Sequence, residues 1–130
     1  MPKKILKDKK LLEALVEYQT TLIERLRVEG YENNFSLLLI PYLDLDETML
    51  KEMALPLLRT SDRLFHIEDN VIALLPGCDW NGALKVHETI AQALGIWPVE
   101  DCIVEYPTDG KGTLQLIENL YKRLEEIKEE

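Results

Sequence analysis

The chain has 130 residues, 46% of them hydrophobic, and a formal net charge of −9. That length fits one globular domain with its own core, and no apolar run approaches the roughly 20 residues that a membrane helix needs. The first ten residues hold five Lys and one Asp, a net of +4, which leaves 10 basic and 23 acidic residues, a net of −13, on the other 120. Such a body repels phosphate backbones and argues against nucleic acid as a partner. The basic head is expected to be a frayed, solvated terminus. No apolar segment follows Met1-Pro2-Lys3-Lys4, and Cys78 and Cys102 match no zinc spacing. A reduced, cytoplasmic protein with two buried structural cysteines is the expectation.

Residues 8–29 read as a helix. Leu12, Leu15, Leu22 and Leu26 repeat at heptad spacing with Gln19 in the seam, and Leu11, Val16, Tyr18 and Ile23 widen the apolar face. A strict two-stranded coil has a narrower stripe, so this helix either docks on its own sheet or offers one side to a partner helix or a second copy. Gly30 closes it. Phe35–Ile40 is an almost unbroken apolar run, as in a central strand buried on both faces, and Pro41 ends it. Asp44 and Asp46 follow. Asp46 is placed to cap a helix over about 47–54, which Pro56 stops or kinks.

Arg63–Ile67 and Val71–Leu75 are β-prone arms around a polar turn, Glu68-Asp69-Asn70. Asp79 or Asn81 caps a helix that runs to Leu94-Gly95, with Ala83, Val86, Ile90 and Leu94 on one face. Pro98 limits Ile96–Val99 to an edge strand. Cys102–Tyr106 is the last strand, Pro107-Thr108-Asp109-Gly110 a turn, and Thr113 the cap of a final helix with Leu116, Ile117, Leu120, Leu124 and Ile127 inward. The order helix, strand, helix, hairpin, helix, strand, helix predicts one α+β domain, a mostly antiparallel sheet of the ferredoxin-like or palm type flanked by helices. His66 and His87 have no Ser, Cys or second His at a supporting spacing, and Gly110-Lys111-Gly112 is too short to cradle phosphate. Trp80 and Trp97 read as cover for the core edge.

With these residues in view, the chain resembles the GGDEF-type diguanylate cyclases over nearly its whole length. Phe35-Ser-Leu-Leu-Leu-Ile40 resembles that family's first strand. Arg59-Thr-Ser-Asp62 leads into the hairpin, and Val71-Ile-Ala-Leu-Leu-Pro76 resembles the strand after the signature. Asn81-Gly-Ala-Leu84 opens the next helix in the family manner. Tyr106-Pro-Thr-Asp-Gly110 and the run from Leu114 to Tyr121 resemble the closing strand, turn and helix. The resemblance implies a nucleotidyl-cyclase-like fold and a signalling domain of the bacterial type.

The departures bear on function. The five signature positions fall on Ile67, Glu68, Asp69, Asn70 and Val71, so both glycines that let the backbone approach guanine nucleotide are replaced. Asn70 stands where the resemblance implies a metal-binding acid, and an amide lacks the anionic oxygen that magnesium prefers. Pro41 stands where it implies the other acid. Asp44 and Asp46 are the remaining candidate metal ligands, and their ordinary roles are loop acid and cap. The segment from Pro41 to Asp62 is short for the family, and Leu124 occupies the position of an expected lysine. Arg59-x-x-Asp62 matches the family's inhibitory site for cyclic di-GMP, where Arg forks onto phosphate or guanine and Asp accepts from guanine N–H groups. The same pair is otherwise a local salt bridge. The sequence therefore predicts an inactive GGDEF-like domain over 1–130, without cofactor, acting through a protein partner or a homodimer made by its first helix. The alternatives are a cyclic di-GMP or GTP receptor using Arg59 and Asp62, and an active nucleotidyl cyclase.

Overall fold

A computed structural model of the protein describes residues 4–31, 33–41, 47–96 and 102–128. Strand β1 (Ile5–Leu6) leads into helix α1 (Lys9–Val28), and β2 (Phe35–Pro41) follows. A helical run then begins with α2 (Glu47–Met49) and continues as a π-helical turn over Leu50–Ala54 and a 3-10 turn over Leu55–Leu57. The hairpin β3 (Arg63–Ile67) and β4 (Asn70–Pro76), helix α3 (Trp80–Leu94), β5 (Ile103–Tyr106) and helix α4 (Thr113–Lys128) complete the chain. The sheet order is β1-β3-β4-β2-β5, antiparallel except where β1 runs parallel to β3.

The apolar run of β2 is explained by its place. It pairs with β4 on one side and β5 on the other, and Phe35 to Ile40 are all buried. Phe35, Leu37 and Leu39 join the core beneath α1 and α4, whereas Leu38 and Ile40 join the core beneath α3 and the helical run. A strand covered on both faces cannot alternate apolar with polar. Helix α1 lies on the first of these faces through Leu12, Val16 and Ile23, each no more than 1% exposed. Docking on its own sheet is therefore the arrangement found. Asp8 caps α1 by accepting from the backbone N–H of Lys10 at 2.9 Å, and Gly30, at φ +94°, releases the chain from it.

Several sequence expectations are corrected. The basic head is not frayed along its length, because Ile5 and Leu6 pair with Leu64 and Phe65 of β3; two apolar residues at a sheet edge suffice to seat it. The helix expected over 47–54 changes winding. The Leu55 N–H reaches back to Leu50, and Pro56, having no N–H, sits in the following 3-10 turn. Pro41 lies inside β2 as its last residue, where β5 no longer pairs with that strand. Of the two candidate caps of α3, Asp79 is the one found, accepting from Gly82 N at 2.7 Å. Thr113 is the first residue of α4 and not its cap, since Gly112 O accepts the first helical bond from Leu116. Of the edge strand expected over 96–99, residues 97–99 lie outside the described residues, as do Asp44 and Asp46.

The hairpin turn is also tighter than its polar composition suggested. Ile67 pairs directly with Asn70, leaving Glu68 and Asp69 alone as the loop. Both have positive φ, 52° and 62°, the signature of a type I′ turn, whose twist matches the strands. Side chains with a Cβ pay roughly 1 kcal/mol for that region. The double substitution Glu68→Asn, Asp69→Gly, which installs the preferred pair, is therefore expected to raise stability by about 1 kcal/mol. A urea midpoint that stays the same or falls would contradict the turn assignment.

Candidate functional site

The hairpin tip is the place where the sequence reading concentrated its site. Ile67 and Val71 are both core residues, packed on opposite faces of the sheet. Ile67 is thus turned beneath α1 and α4 and is not displayed at the tip. Glu68 and Asp69 are exposed. Asn70 is 8% exposed, and its side-chain amide donates to Glu68 O at 3.2 Å. The β2–β4 register sets Pro41 directly opposite Asn70. Proline has no side-chain donor or acceptor, and asparagine offers only a neutral amide, so this cross-strand pair carries no carboxylate. Among the described residues, no three His, Cys, Asp or Glu side chains converge as a metal site.

Helix α4 approaches the same end of the molecule. The Tyr121 hydroxyl is buried with no hydrogen-bond partner among the described residues, and burial first, then the charge of Glu68, holds its pKa above the usual tyrosine value. Lys9, the first residue of α1, lies 5.4 Å above the Tyr121 ring. Leu124 is 2% exposed and belongs to the core.

Arg59 and Asp62 are brought together at the other end of the hairpin. Asp62 is 3% exposed. Its Oδ1 accepts from Arg59 Nη2 at 2.9 Å, and its Oδ2 accepts from Arg59 Nε at 3.2 Å and from the Arg59 backbone N–H at 2.9 Å. The hydrogen bond to Asp62 is the main cause of a raised Arg59 pKa. Arg59 Nη2 also donates to Pro76 O at 2.7 Å, tying the approach to β3 to the end of β4. Arg63 closes the loop by donating to Thr60 O at 2.7 Å and Asp62 O at 2.8 Å. The pair is a bidentate clamp with the carboxylate inside and the guanidinium side chain 55% exposed.

The sequence reading missed a second polar cluster, at the sheet end away from the tip. The Tyr106 hydroxyl donates to Glu24 across α1, and Glu24 also meets Arg27 at 3.0 Å. Burial first, then Glu24, pushes the Tyr106 pKa up to about 12. These residues, with Asn33, Asn34 and Lys111, line a cavity of about 890 Å³. A tyrosine and a glutamate 82 positions apart leave no local signal in sequence.

Removing the Asp62 carboxylate takes away three hydrogen bonds and leaves the Arg59 clamp without its partner. Asp62→Ala is expected to cost about 2 kcal/mol in denaturant unfolding, whereas Arg25→Ala, in the exposed 4.0 Å pair with Glu29, costs under about 1 kcal/mol. Equal effects would contradict a structural clamp. No protein-family model and no curated protein matches the chain. Solved structures do. A truncated form of TpbB (YfiN) from Pseudomonas aeruginosa comprising only the GGDEF domain is 14% identical, with 94% of this chain and 86% of that one covered at a TM-score of 0.70. A sensory box/GGDEF family protein from Caulobacter crescentus is 17% identical, with 98% and 95% covered at a TM-score of 0.68. Together with the mixed five-stranded sheet flanked by helices, these likenesses show that the chain has the GGDEF-type, nucleotidyl-cyclase-like fold.

Proposed function

We propose that this chain is a catalytically inactive GGDEF-like regulatory domain that acts by binding protein. The observation that carries this reading is the cross-strand pair Pro41 and Asn70. The family resemblance assigns metal-binding acids to these two positions, and the register makes them neighbours, so the loss of both removes charge from one spot. Magnesium seeks anionic oxygen, and joining a 3′-hydroxyl to a phosphate without the metal forgoes the main stabilisation of the developing charge. The turn adds to this, because Ile67 and Glu68 stand where the resemblance implies the two glycines, and Glu68 places a side chain and negative charge at the exposed loop.

The outward side of α1 supports the interaction role. Leu11 and Leu22 are 37% exposed and Tyr18 is 63% exposed, and with half-buried Leu15 they form a stripe at alternating spacings of four and three residues. That is the spacing of a helix seam. A receptor for cyclic di-GMP or GTP through Arg59 and Asp62 has less behind it, since the Asp62 carboxylate is 3% exposed and already accepts three hydrogen bonds from Arg59, with which a ligand would compete.

Incubation of the full chain with GTP and magnesium is expected to yield no cyclic dinucleotide, and detection of any would overturn the inactive reading. The outward stripe is tested by mass in solution. The unaltered chain is expected to be dimeric, and Leu11→Glu with Leu22→Glu to make it monomeric with unchanged circular dichroism. A monomeric mass for the unaltered chain at every concentration tried would remove self-association. Truncating the helix is no test, because Leu12, Val16 and Ile23 are part of the core.

A further inference from the structure

The basic head of the chain has a definite seat. With β1 paired along β3, Lys4, Ile5 and Lys7 form one wall of a cavity of about 530 Å³, and Glu47, Lys51 and Leu55 of the helical run face them. This volume lies in the range of small-ligand sites. Among the described residues the lining sets three ammonium groups against one carboxylate. That carboxylate is already engaged. Glu47 Oε1 lies 2.5 Å from Lys7 Nζ and 3.4 Å from His66 Nδ1, and those two hydrogen bonds, Lys7 first, hold the Glu47 pKa below its usual value. Among the described residues Lys4 and Lys51 have no ion-pair partner.

Two cations on facing walls, uncompensated among the described residues, match a dianion better than a single carboxylate. A phosphate monoester is close to a dianion at neutral pH, and ammonium groups hold phosphate as point charges. Ile5 and Leu55 add apolar wall. The site is concave and the remainder of the chain strongly acidic, so an extended polyanion or an anionic membrane would meet repulsion outside it. We propose that this cavity binds a small organic phosphate ester, the phosphate held between Lys4 and Lys51 and the organic part lying against Ile5 and Leu55.

The probe is phenyl phosphate, titrated into the isotope-labelled full chain at constant ionic strength and followed by amide chemical shifts. Saturable shifts confined to residues 4–7 and 47–55 are expected, with affinity about tenfold weaker in Lys4→Gln and in Lys51→Gln. Both side chains are exposed, so an otherwise unchanged spectrum shows that each variant is folded. The proposal is overturned by the absence of saturation, by shifts that sodium chloride reproduces, or by undiminished affinity in the double variant. Binding to equal-part phosphatidylcholine and phosphatidylserine vesicles without binding to the soluble ester would likewise overturn it, in favour of a membrane surface.

Discussion

The pairing of β2 with β4 is the constraint on which the rest of this structure depends. Seven consecutive cross-strand pairs, from Phe35 with Pro76 to Pro41 with Asn70, join them. A slip of one residue would turn every side chain of β4 to the other face, exchanging Ile72 and Leu74 with Val71, Ala73 and Leu75. Both faces are covered by helices, so both cores would be mispacked at once, and burial of large aliphatic side chains is worth ~1.5–3 kcal/mol each. The same register fixes what stands at the base of the hairpin tip. The chemistry available there is a consequence of packing several residues away.

The junction from β4 to α3 shows how the fold holds its loops to that frame. Gly77, at φ +70°, turns the chain, and its N–H donates to Asn34 O at 2.8 Å. Ser36, buried in β2, donates its hydroxyl to Cys78 O at 2.7 Å. Arg59 takes Pro76 O, and Glu105 of β5 accepts from Trp80 N at 2.6 Å, placing a carboxylate at the N-terminus of α3. Three segments distant in sequence, around residues 34–36, 59 and 105, thus satisfy one turn's backbone groups. In this setting the Arg59–Asp62 pair is part of the fastening, with its carboxylate inward and its guanidinium bridging two ends of the hairpin. The turn after β5 is secured in a similar way. Asp109 accepts from Arg123 at 2.9 Å and from Glu105 N at 2.9 Å.

A domain whose tip lacks a paired carboxylate at Pro41 and Asn70 still retains two features that a regulatory role can use. One is an apolar stripe on a helix whose other side is anchored in the core, a rigid surface that a proposed partner would meet with little loss of conformational entropy. The other is a basic cavity where the chain's positive N-terminal segment meets Lys51 of the helical run, on an otherwise acidic body. They lie on different elements, and nothing in the packing requires one to act through the other.

The central strand, the hairpin arms and the three long helices are legible in the residues alone, because their apolar periods are local and strong. Phe35–Ile40 has the unbroken apolar run of a doubly buried strand, and the Gly30 and Gly95 ends follow from cap chemistry that acts within a turn, whereas the choice of Asp79 over Asn81 and the Asp8 cap came from the structure. It also pointed to Arg59 with Asp62, three residues apart, and to the altered tip. Features that depend on distant parts of the chain emerge only when the elements pack. Ile5 and Leu6 are too few to register as a strand until β3 offers its edge. The exact turn required the Ile67–Asn70 pairing, since the composition of Glu68-Asp69-Asn70 permits loops of two or three residues. The Tyr106–Glu24 bond, and the meeting of Lys4 and Lys7 with Lys51, join residues whose separation in sequence carries no periodic signal. Sequence pattern reports burial along one element, whereas sites are made where elements meet.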